Sequence, residues 1–473
     1  MSISSPDWMA LEAAISGRVV MPGTGDYESA RKPFIARFDD LEPQAVVRCA
    51  TPEDVAEVIR FARRYAIETA TRSGGHSIAG FSSTRGIVID VGPMRSVAVE
   101  HGVAHIGAGT RLVELYETLA EQDLTLPSGT CPSVGIGGIT LGGGFGSLGR
   151  RYGLTLDRLL AAQIVLANGR LIECDVEHYA DLFWALRGAG AGNFGVVTSL
   201  TFEPVPAPRM TAFQLAWSYA HAADVITAWQ GWAPTGPDEL ATDLVLTSID
   251  DPGAEPSVEV YGTVIGTERD ASELLEELIQ RVGADPLSAW HSELSYLQTT
   301  RHLAALSVTN ELVEETPSGR VSRQGYRLTK SEFFDRPLPG EAMAKLVESL
   351  TEGHMPGQYR SVEFAAWGGA YNRRSPEATA FVHRDQLLSI EHSVLIDPRA
   401  SGAKKRAAQE WVTRSWGSVH RWGSGRVYPN FPDRDLDDWP RAYYGENTSR
   451  LLKVKARYDP SNVFRFSQSL PVA

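Results

Sequence analysis

Nine glycines fall between positions 135 and 153: Gly135, Gly137, Gly138, Gly142, Gly143, Gly144, Gly146, Gly149 and Gly153. Glycine loses more backbone freedom on folding than any other residue. So dense a run is expected where backbone presses against something flat or phosphorylated. One cysteine, Cys131, stands just ahead of it in Ser128-Gly129-Thr130-Cys131. A second stretch, Arg72-Ser73-Gly74-Gly75-His76-Ser77, puts one histidine directly after paired glycines. Imidazole nitrogen and thiolate are both nucleophiles. A lone His and a lone Cys beside such backbone therefore point to covalent attachment of a cofactor. Gly144–Gly149 matches G-x-G-x-x-G, but a dinucleotide fingerprint must follow a buried strand. Thr140–Gly143 does not read as one. The run is expected instead to be a loop whose amides line a diphosphate.

Composition narrows the class. The 473 residues suffice for two to four domains and an ample core. Hydrophobic content of 43% and charged content of 22% are ordinary for a globular protein. A net charge of −13 argues against nucleic acid or an anionic membrane as partner. Cys49, Cys131 and Cys174 form neither a disulfide framework nor a zinc-ligand pattern, so no metal is expected. This sparse cysteine use, with no secretory signal before Arg18, reads as cytoplasmic. No apolar stretch reaches the roughly 18 residues that span a bilayer.

Ala45–Cys49 reads as a strand, followed by a helix capped by Thr51 with Pro52 in its first turn. That helix places Val55, Val58, Ile59 and Ala62 on one face. Short strands are expected at 86–90, 96–100 and 105–107, and a helix over 111–122 with Thr110 as N-cap. Asn168-Gly169 between Ala161–Ala167 and Arg170–Glu173 predicts a hairpin. A short helix follows at 180–186. The proline-rich Pro204–Pro208 marks a domain boundary. Beyond it, strands at 360–367 and 387–396 alternate with helices at 341–351 and 403–421, and a last helix spans 448–458.

Taken together, Arg72–Ser77, Ser128–Leu154, Gly190–Val197, Tyr443–Asn447, Tyr458–Asn462 and Gln468-Ser469 resemble the vanillyl-alcohol oxidase (PCMH-type FAD-binding) superfamily. Within it they are similar to the berberine-bridge-enzyme-like oxidases. The resemblance spans both ends of the chain and is weak in the middle. It implies an α+β fold of two domains: a discontinuous flavin domain, residues 1–207 with its core at about 38–207, and an antiparallel-sheet substrate domain, 208–434. Residues 435–473 return to the flavin domain. It implies FAD bonded through His76 to the 8α-methyl and through Cys131 to C6. The implied cofactor-binding residues are Arg72, Ser73, Gly74, Gly75, Ser77, Gly135, Gly137, Gly138, Gly142, Asn193, Gly195, Val197, Tyr444 and Asn447. Tyr443 is implied as catalytic base. A phenol whose ordinary pKa is about 10 needs a partner to serve as one at neutral pH. Val134, three residues after the attachment cysteine, is implied to lie over the reactive flavin carbon and to admit dioxygen.

On the substrate side, Trp367, Tyr371 and Arg373 would share a strand face unless Gly368-Gly369 interrupts it. Tyr371 is the second candidate base. Asn372-Arg373-Arg374 stands where relatives carry an acid or a lysine, so a carboxylate base is not evident there. The resulting expectation is an FAD oxidase. It takes hydride from an alcohol carbon of a bulky substrate, an oligosaccharide or natural product, to flavin N5, and reduces dioxygen to hydrogen peroxide. It acts on a small-molecule substrate as a monomer or homodimer, with no nucleic acid or membrane partner. An oxidative cyclase or desaturase, a dehydrogenase with another acceptor, and a non-enzymatic flavin-binding protein remain as alternatives.

Overall fold

Three main sheets organise the computed structural model, which describes residues 5–249, 251, 253–307, 311–316 and 319–472. The first has four strands in the order Arg18–Val20, Ala45–Arg48, Ile87–Asp90, Thr69–Arg72. Ala45–Val47 and Ile87–Ile89 are continuous apolar runs, buried on both faces, and their strands pair in parallel. The helix Pro52–Arg64 follows the first of them. It begins at a capping box between Thr51 and Asp54, and buries Val55, Val58, Ile59 and Ala62 as expected. Thr69–Arg72 pairs on the far side of Ile87–Asp90 and delivers the chain to Ser73.

The second sheet is antiparallel: Val97–Glu100, Val103–Gly107, Gly195–Phe202, Leu159–Leu166, Leu171–Cys174. Its last two strands form the expected hairpin, with Gly169 at φ +80° in the turn. The helix after Gly107 spans Leu112–Ala120, and its N-cap is Arg111 rather than Thr110. The Thr110 hydroxyl is taken by the Ser96 carbonyl at 3.2 Å, while Glu114 reaches back to the Arg111 amide.

The third sheet is seven-stranded and antiparallel throughout: Ser288–Leu294, Met210–Ser218, Ser257–Val264, Leu240–Ser248, Tyr359–Ala366, Leu388–Ile396, Tyr326–Phe334. Side chains alternate between its faces. Leu244, Leu246, Val362 and Phe364 pack with residues of the helices Ala222–Trp232, Glu268–Val282, Gly340–Thr351 and Gly402–Val419. The opposite face is left for the cavity described below.

The apolar core is correspondingly divided. One part gathers residues from Leu11 to Met210 and from Ala442 to Leu470, with Tyr296, Ala380 and Val427 added from the middle of the chain. The other belongs to the seven-stranded sheet and its helices. Buried charge joins the two. Arg384 makes a two-point ion pair with Asp157, each bond 2.8 Å. Arg150 donates to the carbonyls of Pro234, Gly236 and Trp367.

One local expectation fails and one open alternative is settled. The glycine run is not an open loop, since Ile136–Gly142 is helical and Gly149–Tyr152 is a short helix. Gly368-Gly369 does interrupt the strand face that Trp367, Tyr371 and Arg373 would otherwise share. The strand ends at Ala366, Gly368 and Gly369 turn the chain with φ of +94° and +57°, and Gly369–Asn372 forms a 3-10 turn.

Candidate active site

A cavity of about 810 Å³ lies between the glycine-bearing segments and the seven-stranded sheet. Its size is that of a site for a cofactor or large ligand. The histidine loop lines one wall. Arg72 anchors that loop by donating to the carbonyls of Ala30, Arg31 and Ser82, and the Ser73 hydroxyl donates to Ala108. Gly75 sits at φ +74°, a conformation that favours glycine. Among the described residues, the amides of Gly74, Gly75, His76 and Ser77 have no protein acceptor, and all four residues face the cavity. Successive free amides of this kind make an anion-binding concavity. The glycine run contributes differently from expectation. The amides of Ile136 and Gly137 are already bonded to the carbonyls of Thr110 and Ala108. Gly137 therefore offers close approach of backbone rather than a phosphate donor.

His76 is half-buried on the cavity wall, and Phe34 stacks on its ring at 3.8 Å between centroids. Burial, reinforced by the positive charges of Arg111 and Arg327, lowers its pKa to about 3, so the imidazole is neutral. Its Nε2 lies 3.0 Å from the Ser133 hydroxyl, which in turn lies 3.7 Å from Cys131 Sγ. Cys131-Pro132-Ser133-Val134 is a turn closed by the Val134 amide on the Cys131 carbonyl, which sets Cys131 and Val134 side by side on the wall.

The opposite side, the polar face of the seven-stranded sheet, carries charge that sequence reasoning missed. Asp243, Tyr261, Glu363, Glu391 and Arg327 all line the cavity. Tyr261 donates to Glu363 at 2.8 Å, and Arg327 is ion-paired with Glu391. Glu363 and Glu391 are cross-strand partners, as are Tyr261 and Asp243. Burial and the neighbouring carboxylate push both Asp243 and Glu363 above the usual carboxylate range. The available signal was a carboxylate flanked by apolar residues within a strand, as in Val362-Glu363-Phe364, where strands disfavour it.

Most sequence-derived residues converge here. Arg72 to Ser77, Cys131, Val134, Gly135, Gly137, Gly138, Gly142, Gly195, Val197, Tyr371, Tyr443 and Tyr444 all line the cavity. Asn193 and Asn447 are not among its lining residues. The Asn193 side chain binds the Ala189 carbonyl and the Leu470 amide, and Asn447 donates to the carbonyls of Pro376, Thr379 and Ala380. The Tyr371 hydroxyl is engaged by the amide and carbonyl of Gly146, each at 3.1 Å. The Tyr443 hydroxyl accepts from the Asp433 amide at 2.9 Å and donates to Gln468 at 3.0 Å. Burial raises the pKa of both phenols.

Comparison with known proteins agrees with this geometry. Residues 43–175 match the FAD binding domain family, and residues 427–471 match the berberine and berberine-like family. FAD-linked oxidoreductase YgaK of Bacillus subtilis is 34% identical over 464 residues, covering 97% of each chain. The chain belongs to the berberine-bridge-enzyme-like family of FAD-linked oxidases. Another member, chitooligosaccharide oxidase of Gibberella zeae, is 30% identical across 91% of this chain and 87% of its own length. The solved structure of BBE-like 1 from Physcomitrella patens superposes with a TM-score of 0.87 at 28% identity, over 98% of this chain and 99% of that one. The fold is thus the α+β PCMH-type FAD-binding fold, and the protein is an FAD-dependent oxidoreductase. The residues present fit FAD: four free amides suit its diphosphate, and glycine surfaces suit close approach of its ring. Among the described residues no helix is long and apolar enough to cross a membrane, and no cluster of three or more His, Cys, Asp or Glu is arranged to hold a metal.

Proposed function

We propose that the protein is a cytoplasmic oxidase carrying FAD on two covalent links, from His76 to the 8α-methyl and from Cys131 to C6. Both side chains stand on one cavity wall within reach of a common hydroxyl, and the imidazole is neutral and nucleophilic. When bound, the flavin would supply the redox chemistry, accepting hydride from an alcohol carbon and passing the electrons to dioxygen to give hydrogen peroxide. The observation that carries this reading is the carboxylate-bearing roof opposite the glycine wall. A hydroxyl can surrender its proton only to a group positioned and ionised to take it. Glu391 carries its own cation, Arg327, whereas burial favours the protonated forms of Asp243 and Glu363.

Glu391 is therefore assigned as proton acceptor, with Arg327 holding it in place. Tyr443 and Tyr371, whose hydroxyls already have protein partners, are read as walls that orient the substrate. Val134 keeps the space beside Cys131 small but open to dioxygen. The substrate class is a bulky alcohol, with the polar roof matched to a compound bearing several hydroxyls, such as an oligosaccharide. The test is anaerobic mixing with oligosaccharides and polycyclic alcohols, followed by air. Bleaching of the yellow chromophore, then peroxide release, is expected. A protein that no alcohol bleaches would be a flavin carrier.

A further inference from the structure

We propose that Ser133 is a positioning residue for flavin attachment, shared by both links; this rests on the bicovalent reading above. The hydroxyl lies between the two nucleophiles, 3.0 Å from His76 Nε2 and 3.7 Å from Cys131 Sγ. Its location is fixed from two sides. The Ser133 carbonyl accepts from Arg111 at 2.8 Å, and the turn from Cys131 to Val134 closes around it. The proton of the neutral ring is placed on Nε2, where the Ser133 hydroxyl, 3.0 Å away, can accept it. That leaves the Nδ1 lone pair free to bond carbon.

The proton count gives Ser133 its work. When Nδ1 gains a carbon, the imidazole becomes cationic and must shed the Nε2 proton. His76 sits where positive charge is strongly disfavoured, by burial and by Arg111. Ser133 takes that proton and passes one to cavity water. For Cys131 the same hydroxyl receives the thiol proton as sulfur bonds carbon. Each link thus releases one proton from the side chain and one from the flavin carbon. It leaves two electrons in the flavin, which dioxygen removes as one hydrogen peroxide per bond.

The experiment compares Ser133→Thr with Ser133→Val, two side chains of nearly the same shape of which only the first keeps a hydroxyl. Full-length chain made under flavin starvation is mixed with FAD in air. The fraction of flavin remaining with the chain after acid precipitation is followed in time, with intact mass as a second readout. Quenching of flavin fluorescence measures reversible binding separately. Both variants are expected to bind FAD reversibly. Ser133→Thr should form the links near the parental rate, and Ser133→Val at least about tenfold more slowly, a modest share of what proton transfer contributes. Equal rates in the two variants would overturn the proposal. A parental chain that loses its flavin to acid would instead remove the bicovalent reading, and the proposal with it.

Discussion

Removing the hydroxyl of Tyr443 separates two views of the proton acceptor. In Tyr443→Phe the ring stays and the packing survives, but two groups lose their partner: the Asp433 amide at 2.9 Å and the Gln468 side-chain oxygen at 3.0 Å. Each buried group left without a hydrogen bond costs about 1–3 kcal/mol, so up to roughly 2–6 kcal/mol is at stake, and relaxation of Gln468 should bring the loss to about 2–4 kcal/mol. Flavin reduction should change little, because a phenol whose pKa burial has raised is a poor base at neutral pH. Glu391→Gln should behave oppositely. It keeps the shape, breaks the ion pair with Arg327, and should slow reduction by about 10²–10⁴-fold, the usual contribution of a positioned base. Stopped-flow bleaching under anaerobic conditions measures the rates, and urea denaturation measures stability. A Tyr443→Phe protein of parental stability whose flavin reduction falls a hundredfold would refute the reasoning and restore the phenol as base.

Val134→Leu should slow reoxidation by air and leave reduction nearly unchanged, because the added bulk stands beside Cys131; equal reoxidation in stopped-flow mixing with oxygenated buffer would exclude Val134 as the gate. His76→Ala and Cys131→Ala should each retain acid-stable flavin through the remaining link, while the double variant should release it into the supernatant. Asp157→Asn should destabilise the chain by about 3–5 kcal/mol in urea unfolding, because the fully buried Arg384 loses its two-point carboxylate partner.

Much of this was legible because local rules and global fold coincide. Thr51-Pro52 starts a helix, Asn168-Gly169 turns a hairpin, and the apolar faces of both are those the core buries. The two glycine-bearing segments with His76 and Cys131 were legible because their glycines and nucleophiles are contiguous in sequence. The roof was not. Asp243, Tyr261, Glu363 and Glu391 come from four strands scattered over about 150 residues, and only the pairing register brings them together. Asn193 and Asn447 fall outside the cavity lining for a related reason: a buried amide in a turn serves backbone as readily as a ligand, and both bond carbonyls. Thr110 lost its expected capping role because a tertiary partner, the Ser96 carbonyl, competes for the same hydroxyl.

The Tyr458–Asn462 segment has a consequence for how the protein is made. Lys455 and Asp459 are fully buried as a pair, and Lys455 also donates to the carbonyls of Asn193 and Phe464. The Leu470 amide closes on the Asn193 side chain. The turn at residue 193, which leads into the cavity-lining Gly195–Val197, is therefore clamped by residues 262 to 277 positions later in the chain. Synthesis of the flavin-binding half is followed by a wait of more than 200 residues before its own clamp exists. The finished cavity wall therefore awaits synthesis through Leu470, and a nascent chain stopped short of it would have His76 and Cys131 without that wall.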